Sequence, residues 1–184
     1  TDIAIPYYFN LKTNMDATYT LRNMHKRGIM HEGELRYLNK NTANLMAVTF
    51  LPKDDIYDNR ENITLGNDLT KQDRWLAHLT HQGRFGNWSS KINYTAISDI
   101  DYFHDLGSFT NTVTRFDRAI GQNDRPAILR TGQIKYAHKY WGGTLELRSF
   151  QELNQIQTKQ YAVLPRLALY GKRNFGQVEL SGLA

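Results

Sequence analysis

Apolar and polar side chains alternate along most of this chain, and turn residues interrupt the alternation at short intervals. On residues 15–26, Met15, Ala17, Tyr19 and Leu21 fall on one face, while Asp16, Thr18, Thr20 and Arg22 fall on the other. Period two is the mark of a two-faced strand, because successive Cβ atoms leave a pleated chain on opposite sides. The same reading predicts strands over residues 3–10, 15–26, 29–38, 43–51, 73–85, 88–98, 127–139, 144–153, 161–170 and 178–183. The third strand sets Ile29, Leu35 and Tyr37 against Glu32, Glu34 and Arg36. The fourth is apolar on both faces and ends at Pro52.

The clearest hairpin joins residues 73–85 to 88–98 through Gly86-Asn87. Trp75, Ala77 and Leu79 oppose His78, Thr80, Gln82 and Arg84; Trp88, Ile92, Tyr94 and Ala96 oppose Ser89, Lys91, Asn93 and Thr95. Such faces suit a wall with lipid outside and water inside. They suit a half-buried soluble sheet equally well. Turns are expected at 11–14, at Arg27-Gly28, at 39–42, at Tyr140-Trp141-Gly142-Gly143 and at 173–176, with long polar connectors over 53–72 and 99–125. The fold class is therefore all-β, an antiparallel meander of about ten strands. The long connectors follow even-numbered strands. For a barrel whose first strand rises from the periplasm, that leaves a count off by one or another strand before Thr1.

The first predicted strand is the odd one. Pro6 sits inside the run Ile5-Pro6-Tyr7-Tyr8-Phe9. Proline has no N–H for a ladder, so such a strand is an edge or is locally broken. An imperfect strand at the head of a meander marks a seam in the sheet.

Composition changes this picture little. The aromatic share is 12%, with 11 Tyr and 3 Trp, which fits a β protein and also the aromatic girdles of an outer-membrane barrel. No apolar run is long enough for a membrane-spanning helix, but barrel strands need only ~9–11 alternating residues. A net charge of +5 suits a surface that meets phosphate and excludes nothing by itself. With no cysteine, these residues hold no disulfide or thiolate chemistry. No signal peptide is recognisable, and an opening inside a strand is expected of a piece of a longer or trimmed protein.

Candidate chemistry is thin. His78 and His81 lie three apart and point to opposite sides of a strand, which disfavours a metal site. His25, His31, His104 and His138 read as polar surface or lumen residues. Asp99, Asp101 and Asp105 stand at spacings that calcium could use. The reading preferred is a turn-rich loop in which aspartates bond backbone N–H groups. No Gly-rich phosphate loop or Gly-x-Ser-x-Gly elbow occurs, so neither an enzyme nor a cofactor is expected. Arg22, Arg36, Arg84, Lys91, Arg130 and Arg148 are interspersed and form no nucleic-acid stripe.

Several stretches together carry a resemblance. They are Ile5-Pro6-Tyr7-Tyr8-Phe9-Asn10 with Asn14-Met15-Asp16-Ala17-Thr18; Lys26-Arg27-Gly28 with Gly33-Glu34-Leu35-Arg36-Tyr37-Leu38; Gly83-Arg84-Phe85-Gly86-Asn87-Trp88; and Asn93-Tyr94-Thr95 with Ser98-Asp99, Asp101-Tyr102-Phe103 and Asp105-Leu106-Gly107. In this order they resemble the start of the barrel domain in the lipopolysaccharide-assembly outer-membrane family LptD, also called organic solvent tolerance proteins. The likeness covers about residues 3–107. Beyond Ser108 only the strand pattern and Leu164-Pro165-Arg166-Leu167 carry it.

The resemblance implies a large barrel in the outer membrane of a Gram-negative bacterium, of which residues 1–184 would be the first strands, without the periplasmic jelly roll. It implies lipopolysaccharide as cargo, an LptE-like lipoprotein plugging the lumen, a periplasmic bridge protein reaching the jelly roll, and outer-membrane lipids around the wall. It also implies a lateral gate formed here by Ile5, Pro6, Tyr7, Tyr8, Phe9 and Leu21. Leu21 stands where the family carries a second gate proline, so the seam there is more continuous or is opened by other means. Asp16, Thr18, Thr20, Arg22, Glu34, Arg36, Arg84 and Lys91 would line the lumen. Ser98, Asp99, Asp101, Tyr102, Phe103, Asp105 and Gly107 would form a family-motif loop. The competing readings are a complete small outer-membrane barrel and, from another class, a soluble sugar-binding β module.

Overall fold

The computed structural model describes residues 1–57, 73–99, 101–106, 127–152, 163–175 and 178–183, with the side chains of 152, 163–164, 172–175 and 178–183 left aside. Its ten strands are β1 (Asp2–Lys12), β2 (Met15–Met24), β3 (Gly28–Leu38), β4 (Thr42–Leu51), β5 (Arg74–Phe85), β6 (Trp88–Ile97), β7 (Ala127–Ala137), β8 (Trp141–Glu152), β9 (Val163–Phe175) and β10 (Val178–Leu183). They form one sheet in chain order, antiparallel throughout. The expected meander is therefore observed. Among the described residues ten strands are present, and the long connectors follow β4 and β6.

Register carries each face across the sheet. Ile5 lies opposite Leu21, Leu21 opposite His31, His31 opposite Phe50 and Phe50 opposite Trp75. Phe9, Ala17, Leu35, Met46, Leu79 and Tyr94 make a parallel row. These rows form the outer face, which leaves large apolar side chains such as Ile5, Tyr7, Phe50, Trp75 and Leu167 exposed. Near the β5–β6 and β7–β8 turns, Trp88, Tyr136 and Trp141 form a row of tilted rings with centroids 4.8 and 4.6 Å apart. An apolar band ended by an aromatic belt is the outside of a membrane barrel wall.

The opposite, inner face divides in two. Toward the turn end it is polar. Toward the connector end, Met24, Met30, Ala47, Leu51, Leu76, Ile97 and Ile128 bury a core. A single helical turn, α1 (Tyr102–Leu106), supplies Tyr102 and Leu106 to that core. This explains why residues 43–51 read as apolar on both faces: Ala47 and Leu51 lie under α1, while Met46, Val48 and Phe50 face outward.

The β7–β8 turn departs from expectation, whereas His31 and Gly28 do not. His31 is a surface residue, one of the two expected readings; it sits on the outer face, 2.6 Å from the Tyr19 hydroxyl. The β7–β8 turn occupies 138–140, and Gly142 and Gly143 lie within β8. A Cβ on Gly142 would strike the Tyr170 ring and the Tyr136 carbonyl, so that glycine serves a close approach within the sheet. The turn at Gly28 is as expected, with φ +113°.

The wall also has an interruption the sequence did not announce. Pairing of β6 with β7 stops at Asn93–Thr131, although both strands continue. Side chains take over there. Arg130 Nε donates to the Thr95 carbonyl at 2.8 Å. Gln151 donates to the Ile97 carbonyl at 2.8 Å and accepts from the Ile97 N–H at 3.2 Å.

Candidate functional site

Two features of this sheet bear on function: the open edge at β1 and a charged hub under the connectors. At the edge, two backbone bonds fix the phase of the ladder. His25 donates its N–H to the Thr1 carbonyl at 3.1 Å, and Leu38 donates to the Asn14 carbonyl at 2.9 Å. A residue's N–H and C=O point to the same side, and successive residues alternate. Odd-numbered residues of β1, such as Ile5 and Tyr7, therefore bond to β2. Pro6 pairs with Thr20 at a position without such bonds. Its missing N–H belongs to the open side of β1.

Of the two outcomes expected for a strand with an internal proline, an edge or a local break, β1 is the edge. Register runs unbroken from Asp2 to Asn10, and the shift comes only between Asn10 and Lys12. The β1–β2 ladder is whole; what Pro6 lacks is a donor for a strand docking on its other side. Ile5, Tyr7, Phe9 and Leu21 share the outer face, while Pro6 and Tyr8 point inward beside Thr20 and Thr18. At the connector end, Arg22 ties the edge down, donating to Asp2 at 2.7 Å and to the buried Glu32 at 2.9 Å.

The hub lies on the inner side at the connector end. Arg74, the first residue of β5, is fully buried. Its Nε and Nη2 donate to the two oxygens of Asp99 at 3.0 and 2.8 Å. Its Nη1 donates to Asp54 at 3.1 Å and to Asp105 at 2.8 Å. Arg27 donates to the same Asp54 oxygen at 2.6 Å. Tyr57 covers the guanidinium with its ring centroid 4.0 Å from Cζ, a cation–π contact. Burial pushes the Tyr57 phenol up to about 12, and the nearby Asp99 and Asp101 add to the shift. Burial likewise raises the Tyr102 phenol, whose oxygen contacts the Thr49 hydroxyl.

The family-motif loop thus has a structural reading that spacing alone did not give. Among the described residues Asp99 and Asp105 grip a guanidinium, where capping of backbone N–H groups was the expectation. Ser98 donates to Asp99, Tyr102 and Leu106 enter the core with Phe103 packed against it, and the Asp101 carbonyl accepts the N–H of Asp105 at 2.9 Å. Gly107 lies outside the described residues, as do most of the 53–72 and 99–125 connectors. Sequence reading missed Arg27, Arg74 and Asp54 as members of one cluster. The available signal was the excess of aspartates in both connectors, each of which needs a cation when buried.

Burial alone would raise the Asp105 carboxyl, yet hydrogen bonds from His104 and Arg74 and the charges of Arg74 and Arg27 hold it below its ordinary value of 3.8. A depressed folded pKa gives stability that is present above 3.8 and is lost as pH falls through the lowered value. Amide exchange at 102–106 is therefore expected to be slow at pH 6 and to speed up below pH ~3.8. The Asp105→Asn protein should lack that component of the acid response; an identical pH profile in both proteins would remove Asp105 from the explanation.

The remaining predicted lumen residues share one face. Asp16, Thr18, Thr20, Arg22, Glu34, Arg36, Arg84 and Lys91 all lie on the inner side. Arg36 Nε donates to Asp16 at 2.7 Å. His78 and His81 do point to opposite sides: His78 meets Thr95 inside at 2.7 Å, and His81 meets Asn44 outside at 2.7 Å. Among the described residues no group of side chains has the makings of a metal site, and no helix is long and apolar enough to cross a membrane.

A hairpin-connected sheet with an aromatic and aliphatic outside, a polar inside and an edge strand short of one donor is a section of an outer-membrane-type β-barrel wall. The family model described as "LptD: LPS transport system D" matches residues 72–181. The chain is 33% identical over 165 residues to the LPS-assembly protein LptD of Escherichia coli strain K12, and equally to those of Shigella flexneri and Escherichia coli O157:H7. Each alignment covers 89% of this chain and 19% of the relative. The chain belongs to the LptD family, and it spans about a fifth of the length of the curated relatives it matches. The family match reaches well past residue 107, into the half where only the strand pattern was legible.

Proposed function

We propose that residues 1–184 are the opening wall of a large outer-membrane barrel that delivers lipopolysaccharide to the outer leaflet. The observation that carries this reading is the two-faced sheet itself, in a chain of the LptD family. Lipopolysaccharide joins acyl chains to a phosphorylated sugar head. The head needs a hydrated polar interior, and the chains need a route that avoids water. A polar inner face beside an edge that can part provides both.

The gate runs along β1, with Ile5, Tyr7, Phe9 and Leu21 on the lipid side and Pro6 and Tyr8 on the lumen side. Leu21 leaves the β1–β2 ladder continuous, so parting occurs on the other side of β1. The lumen would hold an LptE-like lipoprotein, and a jelly roll upstream would receive cargo from a periplasmic bridge protein. The role is transport and assembly, without catalysis.

Depletion of the full-length protein from its own bacterium tests this directly. Newly made lipopolysaccharide should stop reaching the cell surface and accumulate inside, and surface labelling should recover on re-expression. Undiminished surface delivery after depletion would sink the reading. Solubility of the isolated chain without detergent would argue instead for the soluble module.

A further inference from the structure

The polar half of the inner face contains a hollow of about 430 Å³, lined in part by Asp16, Arg36, Thr80 and Gln82. That is within the usual size of small-ligand sites, and these are groups that hydrogen-bond sugar hydroxyls. Its far rim, Gln82, lies directly opposite Lys91 on β6. Lys91 is one corner of a cationic triad. Arg84 on β5 and Lys135 on β7 both lie opposite Ser89. Each is therefore a diagonal neighbour of Lys91 on the same face, roughly 7–8 Å away or less.

All three side chains are exposed. None has a carboxylate partner among the described residues. Glu146, diagonal to Lys135, is already held by Arg148 at 2.7 and 2.8 Å. Like charges on neighbouring strands repel, so the triad is held together at a cost that an anion would remove. Beside it, Asn93 Oδ1 is buried without a hydrogen-bond partner among the described residues, and Asn93 faces Thr80 of the hollow.

We infer that Arg84, Lys91 and Lys135 bind the phosphate of a phosphorylated sugar headgroup whose sugar occupies the adjoining hollow. This rests on the proposed function and deepens it, assigning the headgroup's path to the β5–β7 part of the wall. The chemistry is phosphate on sugar: charge-assisted N–H···O bonds to the anion, neutral polar contacts to the hydroxyls, and Asn93 Oδ1 as an acceptor. Binding should weaken with salt, because the site is exposed.

The test uses the full-length protein in detergent, with purified lipopolysaccharide, the same material enzymatically dephosphorylated, and inorganic pyrophosphate as probes. The triple variant Arg84→Gln/Lys91→Gln/Lys135→Gln should bind the phosphorylated form about ten- to a hundredfold more weakly and the dephosphorylated form unchanged. Arg84→Lys should keep most of the affinity, and unchanged heat-modifiable gel mobility checks that the barrel is folded. Equal affinity of wild type and variant for the phosphorylated form overturns the inference and leaves the proposed function standing. No binding by the wild type removes the proposed function as well. Pyrophosphate binding as tightly as the glycolipid assigns the triad to free phosphate and overturns the headgroup assignment. Loss of a co-purifying lipoprotein, with glycolipid binding intact, overturns it in favour of a protein contact.

Discussion

Arg74→Met in the full-length protein is expected to lower folded stability by about 3–5 kcal/mol, the range found when one partner of a buried charge cluster is removed. The substitution keeps an unbranched stem but leaves Asp99 and Asp105 without the guanidinium that bridges them. Among the described residues Asp54 keeps Arg27 as its one cation, besides the Ile56 N–H. Three carboxylates would then crowd a site where Asp54 is fully buried and Asp99 and Asp105 are 11% and 21% exposed. The connector should lift off first, because Arg74 holds the described flanking residues 52–57, 98–99 and 101–106 against the inner face. The expected result is a lower urea midpoint, together with new protease cleavage near Tyr102. Arg74→Lys should recover part of the loss and no more, since an ammonium cannot grip both Asp99 oxygens in the fork that Nε and Nη2 form. Adding Asp99→Asn and Asp105→Asn to Arg74→Met should also recover part. An unchanged midpoint and unchanged cleavage in Arg74→Met would mean that the hub does not hold the connectors.

The hub also marks where legibility in the sequence ends. Strand faces were readable because their information is local: Tyr19 and Leu21 alternate with Thr18 and Thr20 within a few residues, and register only had to carry that alternation across the sheet. The inner positions of Asp16, Arg36, Arg84 and Lys91 followed in the same way. The cluster of Arg27, Asp54, Arg74, Asp99 and Asp105 is assembled from three connections and the first residue of β5, spread over about eighty residues, and no spacing announces it. Helix α1 has five residues, too few for any 3.6-residue period to show. Gly142-Gly143 carried the usual signal of a turn, yet Gly142 is a glycine because the Tyr170 ring crosses it, a contact made by a strand nearly thirty residues away. At the edge, composition gave the missing donor of Pro6 but not its direction. That depended on the phase of the ladder, which one residue of slip would have reversed.

That direction yields the second large effect. If lipopolysaccharide leaves between β1 and the strand that closes the barrel against it, locking those two strands should reduce surface delivery to background. Tyr7 is the residue to use. Its N–H and C=O point toward β2, so against the closing strand it occupies a non-hydrogen-bonded position, where facing Cα atoms are about 4.5 Å apart. That separation lies within disulfide reach. Tyr7→Cys with a cysteine facing it on the closing strand should therefore crosslink when oxidised, stop delivery, and release it again on reduction. A milder form of the same experiment restores the donor: Pro6→Ala adds one N–H on the open side of β1 and should favour the closed seam by roughly 0.5–1.5 kcal/mol. The seam should open less often, while amide exchange of Ile5 and Tyr7, which bond to β2, stays as it was. If delivery continued with the Tyr7 crosslink closed, the lateral exit along β1 would be wrong. The cargo would then have to leave through another part of the wall, and the side-chain-bridged gap between β6 and β7, held by Arg130 and Gln151 in place of ladder bonds, is where the described sheet is next least continuous.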